Sequence, residues 1–176
     1  MATIDEFKAN LIGGGARANQ FRVTFTTPGA IATGLDIAKA SFLIKAAALP
    51  GQSIPEIEVP FRGRIMHIAG DRTFEPWTTT VINDTDFMVR NAIERWMNAI
   101  NDLVTNTGLS NVSDYQADLT VEQLDRDDTV LKSYIFRNSF PVSIGQIDLS
   151  SAEATEIETF EITWRYQHFE PSGVSF

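Results

Sequence analysis

Apolar and polar positions alternate in short runs along most of this chain, and one stretch alone carries a sustained helical period. Phe21, Val23 and Phe25 alternate with Arg22, Thr24 and Thr26, which predicts a half-buried strand ended by Pro28-Gly29. Ala30 to Lys39 reads as a loop of small residues. Ser41 to Leu49 reads as the next strand. Phe42, Ile44 and Ala46 lie on one side of it, Leu43 and Ala47 on the other. Both faces being apolar predicts cover on two sides, from a second layer or a neighbouring chain. Pro50-Gly51 turns the chain into an extended arm over Gln52 to Arg64. Pro55 and Pro60 make that arm an edge or an excursion, because neither supplies the N–H of a central ladder. Arg64 to Ala69 and Thr73 to Ile82 are predicted to form a hairpin around Gly70-Asp71.

Asn83-Asp84 then reads as a helix cap, with Asp86 in the first turn. Val89, Ile93, Trp96, Ile100 and Leu103 recur at helical spacing, predicting one amphipathic helix over about residues 85 to 104. Ile4, Phe7 and Leu11 allow a short amphipathic arm, broken by Gly13-Gly14-Gly15. Gln116 to Leu124 and Val130 to Arg137 read as a hairpin around Asp125-Arg126-Asp127-Asp128. Phe140, Val142 and Ile144 lead into a loop near Gly145. Glu156 to His168 is the last strand, with Phe160, Ile162, Trp164 and Tyr166 on one face. Ile157 is out of phase with them and suggests a bulge near Glu158-Thr159. About seven strands and one substantial helix predict a mainly β chain, a sandwich or barrel with the helix packed on one side.

At 176 residues the chain is expected to be a single domain, 1–176, with an N-terminal arm over 1–19 and a loose tail over 170–176. A 43% apolar content excludes wholesale disorder. There is no cysteine, hence no disulfide or thiolate site. The net charge of -9 argues against binding nucleic acid through phosphate neutralisation. No apolar run reaches the roughly 18 residues of a membrane helix, and the N-terminus lacks a signal-peptide pattern. No membrane anchor is expected, and folding in the cytoplasm is.

Candidate chemistry is sparse. Asp125, Asp127 and Asp128 lack the Gly and bidentate Glu of a calcium loop and read as a solvated turn. Gly13 to Gly15 has neither the preceding strand nor the Lys-Ser/Thr of a phosphate loop. His67 and His168 are far apart in sequence, with no metal-ligand spacing. No nucleophile elbow is present, and nothing in the spacing of Glu75, Glu156, Glu158 and Glu161 selects a catalytic pair. Trp77, Trp96 and Trp164 read as core anchors. Arg62, Arg64, Asp71 and Arg72 form the one dense charged cluster, with Arg64 and Asp71 able to pair across a hairpin or between subunits. No catalytic residue, cofactor or metal is expected.

Three segments carry a resemblance. They are K-A-A-A-L-P-G (Lys45 to Gly51), I-A-G-D-R-T-F-E-P-W-T-T-T-V-I-N-D (Ile68 to Asp84) and E-I-E-T-F-E-I-T-W (Glu156 to Trp164). In content, order and separation they resemble the tail tube proteins of contractile-tailed bacteriophages, over about Phe21 to Phe169. Related tubes occur in contractile injection systems and, as Hcp, in type VI secretion. The resemblance implies hexameric rings whose sheets join into a continuous β-cylinder, stacked as the inner tube that conducts the genome into the host. It implies a place in the virion tail, after assembly in the bacterial cytoplasm. Implied partners are copies of itself, the sheath, baseplate and tail terminator proteins, and the tape measure protein and double-stranded DNA in the lumen, without sequence-specific binding. Leu49, Pro50, Ile54, Ile57, Phe61, Arg64, Asp71 and Arg72 are the expected stacking residues, and Glu161 a lumen-facing acid. The alternatives are a protein-translocating injection tube and a monomeric β-barrel with an apolar ligand.

Overall fold

A computed structural model describes residues 3–11, 13, 15–150 and 156–173 of the chain. Nine strands are present among them: β1 (Phe21–Phe25), β2 (Ile44–Ala47), β3 (Glu56–Phe61), β4 (Arg64–Ala69), β5 (Trp77–Ile82), β6 (Ala117–Leu124), β7 (Val130–Ile144), β8 (Thr159–Arg165) and β9 (His168–Pro171). Three α-helices accompany them: α1 (Ile4–Asn10), α2 (Ile37–Phe42) and α3 (Met88–Ile100). Seven strands form one antiparallel sheet in the order β1-β6-β7-β8-β5-β2, with β9 also on β7. Strand β7 is the hinge of this sheet. Its first part pairs with β6 and β9, its last part with β8. Between them Asn138 takes a left-handed φ of 54, and its N–H donates to the Asp118 carboxylate at 3.0 Å. The sheet therefore folds over on itself and encloses an apolar layer.

That layer follows from the alternation. Val23, Phe25, Leu119, Val121 and Phe136 meet Trp77, Val81, Phe160, Ile162 and Trp164, all buried. Phe25 lies 5.1 Å from Trp164 and Trp77 stacks on Phe136 at 4.3 Å, centroid to centroid. Helix α3 adds Val89, Ala92, Ile93 and Trp96. The Trp96 ring meets Trp164 edge-on at 5.6 Å. Burying an indole N–H demands an acceptor. Trp96 donates to the Tyr115 carbonyl at 2.7 Å and Trp164 to Thr79 Oγ1 at 3.1 Å. The three tryptophans are the anchors the sequence predicts.

Several expectations are corrected. The predicted strand over Ser41 to Leu49 is helix α2 running to Phe42, then a strand of four residues. Asp36 accepts from the Lys39 N–H at 3.1 Å and so nucleates a helix over Ile-Ala-Lys-Ala. Lys45 and Ala46 are exposed, so this stretch is not covered on both faces within one chain. Helix α3 begins at Met88 rather than near 85, and its N-cap is Phe87, left-handed and without a side-chain hydrogen bond. Asp84 and Asp86 instead hold Lys39, each at 2.6 Å. Strand β8 pairs with β5 in unbroken register, so no bulge occurs at Thr159. Ile157 simply precedes the strand and is exposed. Phe140 to Ile144 is the last part of β7, and the loop expected near Gly145 follows it. Glu170 and Pro171, expected in a loose tail, are zipped onto β7 as part of β9, where Arg137 binds Glu170 at 2.7 Å. Residues 174–176 of that tail lie outside the described residues, as does Gly14 of the glycine run.

Candidate functional site

The segment expected to meet other copies is a free-standing hairpin. Strands β3 and β4 form a two-stranded sheet of their own. Their turn is Arg62-Gly63, both with positive φ (47 and 81), which suits a two-residue hairpin loop with the twist of the flanking strands. The predicted hairpin between β4 and β5 does not form. Glu75-Pro76 separates those strands, and β5 pairs with β2 and β8 instead. The β3–β4 ladder runs on towards its base. The Gly70 N–H donates to the Pro55 carbonyl at 2.8 Å, and Ser53 and Thr73 form a further bridge. A Cβ at Gly70 would sit 2.8 Å from that carbonyl oxygen, so only glycine permits the approach.

Register divides the side chains between two faces. Ile57, Val59 and Phe61 pair with Ile68, Met66 and Arg64, and share one face. Glu56, Glu58 and Pro60 pair with Ala69, His67 and Ile65, and share the other. Every residue of both strands is exposed, including Phe61 at 68% and Met66 at 56%. Five large apolar side chains on one face of a projecting ribbon form a patch that water covers at a cost. Arg64 ends that apolar face at the tip, where Arg62 also lies over the Phe61 ring at 5.3 Å.

The other expected residues are dispersed. Asp71 and Arg72 follow Gly70 at the base of the hairpin. Asp71 lies seven residue steps along extended chain from Arg64, roughly 23 Å, so the two do not pair across one hairpin. Ile54 is exposed at the base, between the Ser53 bridge and β3. Leu49 and Pro50 follow β2 and line a small hollow with Trp77 and Tyr166. Glu161 lies on the outer face of β8, alternating with the buried Phe160 and Ile162. Val59, Met66 and Ile68 complete the apolar face but were not singled out from sequence. The one signal was Gly63 as a break between two alternating runs; Arg-Gly is not a usual two-residue hairpin turn, because Arg rarely takes the positive φ that Arg62 adopts.

The path of the large sheet ends at β1 and β2, and β9 lies off it on β7. Among the described residues β1 pairs only with β6 and β2 only with β5, so each offers one side to an added strand. Beside α3, Met97, Ile100, Leu103, Phe140, Val142 and Ile144 line an open apolar groove of about 670 Å³. Its outer wall is set by Asp102, whose carboxylate accepts from the Thr105 and Val104 N–H groups, the Thr105 hydroxyl and the Asn98 amide, at 2.8 to 3.1 Å. These bonds favour the anion and hold the Asp102 pKa down at about 2. Gly108 packs against the end of α3 so closely that a Cβ there would lie 1.9 Å from the Ile100 carbonyl oxygen.

Among the described residues one group could offer three ligand atoms to a cation: Glu56, Glu58 and His67, within 4.8 Å of one another on the hairpin. His67 Nδ1 already faces a Glu56 oxygen at 3.1 Å, and all three side chains are open to water, which suits an exposed polar contact. His168 lies on β9, 3.7 Å from Glu170.

A family described as phage tail tube protein matches residues 16–172. A tail tube protein of Serratia phage KSP90 is 30% identical over 168 residues, covering 94% of this chain and 95% of that protein. Two solved structures share the fold. A chain of the anti-feeding prophage baseplate, 6-fold symmetrised, superposes with a TM-score of 0.65 at 14% identity, covering 92% of this chain and 98% of its own. A chain of the sheath-tube complex of the PVC extracellular contractile injection system, in its extended state, gives 0.61 at 14% identity, covering 99% and 100%.

Proposed function

This chain belongs to the phage tail tube protein family, and we propose that it closes hexameric rings that stack into the inner tube of a contractile tail, the conduit for genome ejection. The observation that carries this reading is the β3–β4 hairpin, a ribbon with a continuous apolar face that its own chain leaves bare. Its relatives are structural tail proteins, and the work of this chain is assembly rather than catalysis.

Laterally, β1 of one copy pairs with β2 of the next, so that six sheets close into one cylinder. Axially, the hairpin docks on the adjacent ring through Ile57, Val59, Phe61, Met66 and Ile68. Leu49, Pro50, Ile54, Arg64, Asp71 and Arg72 meet the neighbour around this patch. The axial contact is heterologous, so it repeats without closing and a filament grows. Covering each large apolar side chain gains about 1.5–3 kcal/mol. Bringing two bodies together costs about 4–15 kcal/mol. One hairpin is therefore marginal alone, whereas a ring engaging several together gains from their effective concentration. Rings then form first and stack second.

The chain carries a net charge of -9, and acids on the inner wall, Glu161 among them, keep a DNA duplex from adhering as it slides. The partners of such a tube are its sheath, baseplate and terminator, with the tape measure protein and double-stranded DNA inside, in the virion tail after assembly in the host cytoplasm. The same geometry would serve a protein-translocating tube. Sequence kinship to a phage protein at 30% favours the phage tail. A monomeric ligand-binding barrel is disfavoured because the interior is filled by aromatic side chains.

Negative-stain microscopy tests the reading. The wild-type chain is expected to give long hollow tubes. Phe61→Asp and Arg64→Glu, both at exposed positions, are expected to keep the wild-type melting temperature yet give only rings or monomers. Long tubes from both variants, or a wild-type chain that stays monomeric at every concentration, would overturn it.

A further inference from the structure

Helix α1 is carefully capped yet touches no core. Thr3 and Glu6 form a reciprocal capping box, with the Thr3 N–H donating to the Glu6 carboxylate at 2.8 Å. Seven residues are too few to hold a helix in water without a tertiary partner. Ile4, Phe7 and Leu11 share one face of it and are all exposed, Ile4 at 72%. Elsewhere on the same chain, the groove between α3 and the end of β7 is apolar and open, with Leu103 93% exposed on its outer wall. That wall is held rigidly by the Asp102 bonds, so the groove is ready-made rather than collapsed.

We infer that α1 of one copy docks into the α3–β7 groove of a neighbouring copy in the assembled tube, an inference that rests on the assembly reading above. Among the described residues stripe and groove are bare at the same time, so each finds its cover on another molecule. The arm leaves from β1, the sheet edge where the lateral neighbour is placed. Gly13 and Gly15, with φ of 64 and 85, let the chain turn there. Arg17 and Gln20 are held to Gln123 of β6 at 2.7 Å, so the free tether runs from Leu11 to Arg17 and spans up to roughly 21 Å when extended, enough to reach a subunit paired along β1. The contact is apolar: Glu94, the one ionisable group lining the groove, is already held by Arg90 at 3.0 Å, and α1 carries Asp5 and Glu6 beside Lys8.

The absence of cysteine makes a covalent test clean. A chain carrying Phe7→Cys and Val142→Cys is assembled, imaged, oxidised and run on a non-reducing denaturing gel. Both positions are exposed, so neither change threatens the fold. A ladder of multiples of 19.5 kDa is expected. Pairing Phe7→Cys with Ile157→Cys, exposed but outside the groove, is expected to lose that ladder. Intact tubes in which the groove pair yields only monomer, or an internal crosslink, or no more ladder than the Ile157 control, overturn this inference and leave the tube reading standing. Failure of the wild-type chain to assemble overturns both.

Discussion

At the scale of single residues, the chain spends its polar groups on positioning rather than chemistry. Asp102 is the sharpest case. Four donors converge on its carboxylate and set the loop that presents Leu103 and Val104. Its folded pKa of about 2 lies below the ordinary 3.8. A depressed carboxylate contributes stability that is fully present above its unfolded pKa and is lost as pH falls through the folded value. Asp102→Ala is therefore expected to melt below the wild type at neutral pH, with the gap closing as pH falls from about 4 towards 2. A gap that persists unchanged to pH about 2 would remove the ionised carboxylate as its source. Lys39 is the other instance. Bonds to Asp84 and then Asp86 raise its pKa above the ordinary lysine value and tie α2 to the turn before α3. Asn-Asp before a periodic run is a capping pattern, yet neither Asp84 nor Asp86 caps α3, whose N-cap is Phe87. Their real partner lies 45 and 47 residues away in sequence, beyond any local rule.

At the scale of elements, a sheet and helix that hold the fold are distinct from a ribbon that does not. Trp96→Ala empties a site against Trp164 and strips the Tyr115 carbonyl of its donor, so a loss of about 3–5 kcal/mol is expected from urea unfolding. Phe61→Ala, on the exposed hairpin, is expected to change stability by less than about 0.5 kcal/mol. Equal effects would show that the hairpin is part of the core after all. The difference was partly readable. Helix α3 and strands β1, β6 and β8 carry clean periods because one face of each meets a single core. Strand β2 and helix α2 do not, because a two-sided apolar run such as Ser41 to Leu49 fits either state, and the Asp36 cap decides between them. The hairpin partner of β4 was misassigned for a related reason. Gly63 and Gly70 both break the alternating pattern, and the choice is made by β8, which takes β5 for itself.

At the scale of the whole molecule, charge and shape act together. Glu161 is exposed on the outer face of β8, so Glu161→Lys is expected to leave the fold intact. In a tube whose inner wall carries this position, the change sets a ring of cations around the lumen. Wild-type tubes are expected to leave double-stranded DNA unretained at about 0.05 M salt. Glu161→Lys tubes are expected to hold it and to release it as salt rises, because each phosphate contact adds about 0.9 to the salt slope. DNA that passes both tubes alike would place Glu161 elsewhere than the lumen. The net charge of -9 is visible in composition. The face on which each acid stands is not, because a sheet with polar residues on its outer surface looks the same whether it faces bulk water, a sheath or a channel.

Sequence alone determined the class of fold, the buried faces of β1, β6 and β8, the tryptophan anchors and kinship with tail tube proteins. These depend on local periodicity and on motifs, which are properties of neighbours in the chain. Tertiary structure decided which strands pair, where the hairpin turns, that α2 is a helix and that β9 closes onto β7. Those outcomes depend on competition between distant segments for the same backbone donors and the same apolar cover, and a segment read by itself carries no record of its competitors.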